Sequence, residues 1–255
     1  MGADYDTIRL RSQQLASLCL ALLLPAVAGA QIATLDPIGD QTTGLWLTSY
    51  RPGDAPFFDI DAVQFKPWAR GLYHARQQHD LEPHARCKAS GAIRQFLTPY
   101  GVEIVELKEL KRLYIFDIGG PHSYREVFMD GRGHPADLVP SNYGHNIGWW
   151  DGDTLVIDSV SYNEDFWFER AGLPHTEAVH VREYFRRTDA DTVEYIFVLE
   201  DPIAYETPVR GFLTLYWQEG EELFEYICQQ SNYAHDLMVN PEDLGAIGRT
   251  SDIVP

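Results

Sequence analysis

The chain has 255 residues, 45% hydrophobic and 13% aromatic, with 38 acidic against 20 basic side chains and a formal net charge of −18. That imbalance argues against binding to a nucleic-acid backbone or an anionic membrane surface, because either needs a basic face. The apolar fraction suffices for one domain with a substantial core, and it does not nominate a substrate.

Residues 1–30 read as a secretory signal peptide. Arg9 and Arg11 precede an apolar run over 15–27, and Ala28-Gly29-Ala30 supplies the small residues of a cleavage site. The run is too short for a stable membrane span, so no integral membrane segment is expected once the signal is removed. The remaining 31–255 are expected to form a single β-barrel domain in a periplasm or the extracellular medium. Residues 31–42 form a polar lead-in. A first strand is predicted over 44–50, and Pro52, Gly53, Pro56 and Pro67 interrupt the segment beyond it. The segment 68–78 is the helix candidate, and the loop after it carries His79, His84 and Cys87.

From residue 102 the pattern turns to strands rich in Val, Ile, Tyr, Phe and Trp: 102–107, 112–118, 124–129, 145–150, 154–161, 177–186, 192–199, 211–218 and 222–228. Asp130-Gly131, Asp151-Gly152 and Glu219-Gly220 fall where neighbouring strands should connect. The fold class predicted is all-β: an antiparallel barrel with one helix in its N-terminal part and one disulfide. Gly44-x-Trp46 in the first strand is similar to lipocalin-like (calycin) barrels, whose interior holds one small ligand. With Cys19 inside the signal, Cys87 and Cys228 remain. In an oxidising compartment they are most simply a disulfide, the alternative being two buried thiols.

Two constellations carry chemistry. In a hairpin turned on Asp151-Gly152, counting outward sets His145 opposite Asp158, where the carboxylate would orient the imidazole as a general base. Ile147, Trp149 and Val156 share that face, which suggests that it is the barrel interior. In the second, a strand through 175–185 places His175, Glu177, Val179, Val181, Glu183 and Phe185 on one inward face, with Ala178, His180, Arg182 and Tyr184 on the other. His175 and Glu177 would lie about 7 Å apart at the barrel mouth. Asp130, Arg132 and His134 in a rim loop are candidate ligand-binding residues. So are Trp149 and Glu183 on the inward faces, and Asn163 and Trp167 in the connection leading to His175. His-x-Glu lacks the Pro-Cys-x-x-Cys partner of zinc deaminases, so no metal is assigned; a site gathered from His134, His145 and His175 is the alternative.

The segment from Cys87 to Cys228 resembles an uncharacterised family of secreted bacterial β-rich proteins. The matching pieces include "MDGRGHPADL" at 129–138, "GHNIGWWDGDTLVIDS" at 144–159, "RAGLPHTEAVHVREYFRRTDADTVEY" at 170–195 and "EDPIAYETP" at 200–208. The resemblance implies that His145, Asp158, His175, Glu177 and the two cysteines are characteristic positions. It carries no activity. The chain departs after Cys228, where "QQSN" stands in place of Glu-Glu-Asn.

The expectation is an exported enzyme that needs no organic cofactor. It would perform general acid–base chemistry of lyase, isomerase or hydrolase type on a small apolar or aromatic molecule. His145 and Asp158 would form the base, and His175 and Glu177 the complementary acid or positioning groups. The alternative is a non-catalytic carrier using the same barrel.

Overall fold

The computed structural model describes residues 45–47, 58–78, 82–98, 100–117, 123–223 and Cys228. The expected signal segment, the lead-in and most of the first strand lie outside these residues. Of the strand expected over 222–228, residues 222, 223 and 228 are described, and none of them is in a strand. Among the described residues, no helix is long and apolar enough to cross a membrane.

The protein is mostly β. Its strands are β1 (Leu45–Leu47), β2 (Val102–Leu107), β3 (Arg112–Asp117), β4 (Ser123–Phe128), β5 (His145–Asp151), β6 (Thr154–Val160), β7 (His180–Asp189), β8 (Thr192–Glu200) and β9 (Val209–Gln218). From β2 to β9 each strand hydrogen-bonds to the next, giving one strongly curled sheet. The short β1 pairs with β2 at Trp46 and with β9 along its whole length, so the strand order closes.

One junction departs from the antiparallel pattern expected. β4 and β5 run parallel, paired only at Val127↔Asn146 and Phe128↔Ile147. Asp130-Gly131 therefore opens a long crossover, 129–144, instead of turning a hairpin; parallel neighbours require such a connection. The Asn146 side chain reinforces this thin seam by donating from Nδ2 to the Glu126 carbonyl at 3.0 Å.

The helix α1 spans Pro67–Gln77, with proline in its first turn, where the missing N–H costs nothing. Ala69, Leu72, Tyr73 and Arg76 are its buried residues, spaced to form a single stripe. Arg76 is buried by pairing its guanidinium with the Gly172 carbonyl at 3.2 Å and laying it over the Trp167 ring at 4.8 Å. Cys87 and Cys228 form the expected disulfide, with Cα atoms 5.5 Å apart.

The interior is packed. Phe96, from the short 3-10 turn Arg94–Leu97, contacts Tyr195 at 4.7 Å and Phe185 at 5.4 Å between ring centroids. Ahead of this turn, Gly91 takes φ +77° against Phe166, where a Cβ would fall 2.0 Å from the ring.

Deeper in the barrel sits an ion pair. The fully buried Arg125 of β4 meets Glu183 of β7 through both terminal nitrogens, one of them at 3.0 Å from Oε1. Its Nε donates to Asn146 Oδ1 at 2.8 Å and its Nη2 to Ser159 Oγ at 2.8 Å. The Tyr195 hydroxyl donates to Glu183 at 2.9 Å. Burial alone would lower the Arg125 pKa, but Glu183 outweighs it and the guanidinium is held charged.

Removing one partner of a buried pair strands the other charge, at a cost of about 3–5 kcal/mol. Arg125→Met should therefore lower the unfolding free energy by about that much. Arg125→Met combined with Glu183→Leu should recover part of the loss. Urea denaturation measures both, and an unchanged midpoint in Arg125→Met would remove the pair from the account of stability.

Candidate functional site: a histidine–aspartate cluster on the outer face

The β5–β6 hairpin turns on Gly152-Asp153, not on Asp151-Gly152. Gly152 takes positive φ (62°) at the first central position, where a type II′ turn favours glycine. Each strand is thereby shifted by one residue: His145 opposes Val160, and Asp158 opposes Ile147. The direct pairing of His145 with Asp158 is corrected, although the two remain on one face as diagonal neighbours.

That face is the outer one, which reverses the expectation. Asn146, Gly148, Leu155, Ile157 and Ser159 point to the core, while Trp149 is 42% exposed. The sequence misleads here because β6 is buried along nearly its whole length, on both faces, so it shows no alternation.

His134, arriving from the 129–144 crossover, fills the gap between His145 and Asp158. Its Nε2 lies 3.0 Å from Asp158 Oδ1 and its Nδ1 lies 2.7 Å from His145 Nδ1. His180, the first residue of β7, brings Nε2 to 2.9 Å from the same Oδ1. Arg182, two residues on, donates to Oδ2 from Nε at 2.9 Å and Nη2 at 2.7 Å. A carboxylate has about four lone-pair positions, and all are engaged.

With His134 and His145 both neutral, one proton pattern satisfies these contacts. His134 and His180 donate Nε2–H to Asp158, so His134 presents Nδ1 as an acceptor. His145 must then donate its Nδ1–H to His134, which leaves its Nε2 as a lone pair. The His145 ring stacks on Phe128 at 5.1 Å, and Phe128 also carries the guanidinium of Arg132 at 4.1 Å.

The two ends of the chain have opposite charge preferences. His145 is pushed below the ordinary imidazole range by burial, then by His134 and Arg132. His180 is raised, first by its hydrogen bond to Asp158, against the opposing effect of burial. Burial would raise Asp158, but the bonds from His180, Arg182 and His134 hold its carboxyl well below the usual range.

His180 also borders an open groove. It is lined by His180, Arg182 and Tyr184 of β7, Val198 and Glu200 of β8, and Arg210 of β9. Glu200 Oε2 lies 3.7 Å from His180 Nδ1.

The other expected site residues are dispersed. His175 is buried between Phe166 and Phe168, with Nε2 donating to the Asn163 carbonyl at 2.8 Å, and burial lowers its pKa to about 3. Glu177 is exposed. They do not share a strand face, because a turn over Thr176–Val179 precedes β7 and Asp201 binds the Thr176 amide at 2.6 Å. Glu183 belongs to the buried Arg125 pair. Trp167 is buried against Arg76, and the Asn163 side chain accepts from the Asp165 amide in a local turn. Asp130 and Arg132 form an ion pair at 2.5 Å near the cluster. Of the histidines weighed for a metal, His134 and His145 meet and His175 does not. Among the described residues, no group of three or more His, Cys, Asp or Glu side chains has the arrangement of a metal site.

Strand spacing sets His180, Arg182 and Tyr184 on one face without marking them as a site, and nothing in the sequence marks Glu200 or Arg210. The available signal was the alternation His180-x-Arg182-x-Tyr184, which sets three polar side chains on one strand face. Compared with protein-family models, curated proteins and solved structures, the chain matches none.

A histidine-resolved NMR titration checks the electrostatics. His180 should titrate above, and His145 below, the ordinary value of about 6.5. Asp158→Asn should move His180 downward. Because the folded His180 binds its proton more tightly, its contribution to stability is complete below about pH 6.5 and is lost as pH rises through its raised pKa. The Asp158 contribution has the opposite sense: it is present above the ordinary carboxylate value and is lost as pH falls toward its depressed one. A His180 midpoint unchanged in Asp158→Asn would break the coupling.

Proposed function

We propose that the protein is an exported enzyme performing general acid–base chemistry on a small molecule with an apolar or aromatic body. Elimination, isomerisation and hydrolysis all fit such machinery. The calycin-like reading of the barrel rests on Gly44-x-Trp46 and the consecutive strand order. Export rests on residues 1–30 and agrees with the disulfide.

One observation carries the catalytic reading. A single carboxylate, Asp158, bonds His180 directly and reaches His145 through His134, and the environments of His180 and His145 push their pKa values apart. Groups driven apart in this way take the acid and base roles. His180, whose proton Asp158 holds more tightly and which borders the groove, is the acid. His145, neutral with a free Nε2 lone pair, is the base end of the chain, and His134 connects it to Asp158. The expected role of His145 is thus kept, with a histidine interposed, and the complementary acid moves from His175 to His180. The packed interior favours this outer site over a ligand held in the barrel.

The test compares wild type with His180→Gln in a small-molecule extract of the source cells, followed by mass spectrometry. Wild type should convert at least one component with time, and His180→Gln should slow that conversion by about 10²–10⁴-fold, the usual worth of a positioned acid. Identical conversion by both proteins would exclude His180 as the acid. Depletion of a component with no product would favour the carrier.

A further inference from the structure

The groove beside His180 is part of a larger pattern on the outer face of β7, β8 and β9. Strand register arranges the side chains there in three parallel rows. The first is His180↔Glu200 and the second is Arg182↔Val198↔Arg210. The third is Tyr184↔Ile196↔Phe212. Successive rows are two residues apart, about 7 Å along the strands, and all project from one side of the sheet. The first row carries the proton donor, and the second carries two cations flanking a valine. The third is apolar and open, with Ile196 43% and Phe212 37% exposed.

The two arginines are held differently. Asp158 engages Arg182 through Nε and Nη2 and fixes its plane. Arg210 is exposed, and among the described residues it has no carboxylate partner. Arg125, Arg132 and Arg186 do have one, in Glu183, Asp130 and Glu194. In a chain with nearly twice as many acids as bases, leaving a groove-lining guanidinium unmatched keeps an anion position open. Arg182 and Arg210 stand two strands apart, about 9–10 Å between backbones, and both line the groove on either side of Val198.

We propose that this groove binds a small organic anion, a carboxylate or a phosphate monoester, through Arg182 and Arg210. The apolar or aromatic body of the ligand lies along Tyr184, Ile196 and Phe212. The assignment builds on the acid–base reading of the same groove and names its substrate class. It also places the reacting bond next to the anionic group, because the cationic row lies between the apolar row and His180. Arg210 acts as the anion anchor, and Arg182 joins the anchor to the Asp158 cluster.

Calorimetric titration of the full protein with 3-phenylpropanoate, phenyl phosphate and the neutral 3-phenylpropanamide tests this. At least one of the two acids should bind, and the amide should bind about 10-fold more weakly or not measurably. Arg210→Gln, an exposed substitution checked for an unchanged melting temperature, should weaken the acid by about 10-fold or more. The relative strength of carboxylate and phosphate identifies which anion the site takes. Amide binding equal to acid binding, no binding of either acid, or an Arg210→Gln protein that binds as wild type would each overturn the anion site. The two readings fail separately. Loss of binding in Arg210→Gln with unaltered extract conversion by His180→Gln leaves the anion site standing and removes the acid. Lost conversion with no anion binding does the reverse.

Discussion

The Arg125–Glu183 pair holds together the part of the barrel that would otherwise be weakest. β4 and β5 share only two backbone pairings, and they are parallel. Arg125 bridges that seam by reaching Asn146 of β5, Ser159 of β6 and Glu183 of β7, while Tyr195 of β8 completes the carboxylate's partners. Five consecutive strands therefore meet in one hydrogen-bonded centre where every member is satisfied by another. Such a centre is a costly way to gain stability, because two charges must be desolvated. It is an effective way to fix register, because a slip of any strand would leave a buried charge unpaired.

Register in turn determines the outer site. The side-chain period of a strand is two, so fixing Ser159 and Glu183 toward the core forces Asp158 and Arg182 to the opposite face. The inner and outer carboxylates are each served by a guanidinium, with different consequences. Glu183 is sealed from water, and its partner is held permanently charged. Asp158 sits at the edge of a groove, where one of its partners is His180, an imidazole whose proton the carboxylate holds more tightly. The same strands thus carry a structural ion pair inside and a titratable one outside.

Much of the fold was legible in the residues. The strands from 102 to 218, the helix and the disulfide follow from β-branched and aromatic runs, one amphipathic stripe and an isolated cysteine pair. Two things were not legible. Leu155, Val156 and Ile157 give no alternation, so the inward face of the β5–β6 hairpin could not be chosen from that stretch alone. The Asp-Gly turn signal was correct, but one glycine allows either of two adjacent two-residue turns, and the choice moves every opposing pair. That shift is by two in the register sum, which preserves faces. His145 and Asp158 therefore stayed on one side, and the loss of their direct contact was made good by His134. A loop residue arriving from a parallel crossover leaves no mark in strand spacing. His175 shows the converse: a histidine near an acidic neighbour in sequence becomes a neutral core side chain once a turn intervenes.

The position of Asp158 also explains why the cluster uses three histidines instead of a simple dyad. A carboxylate bound bidentately by Arg182 on one oxygen has only the other left for imidazoles, and that oxygen takes both His134 and His180. The arginine keeps the carboxylate ionised, so its bonds to the imidazoles stay charge-assisted and their tautomers stay fixed. His180 is thereby stabilised as a cation. His134 passes its orientation to His145, which is left neutral by burial and by the Arg132 charge nearby. The anchored carboxylate thus raises His180, while burial, His134 and Arg132 lower His145, a ring it reaches only through His134. This arrangement places the charged ring, and not the neutral one, beside the groove that carries Arg210.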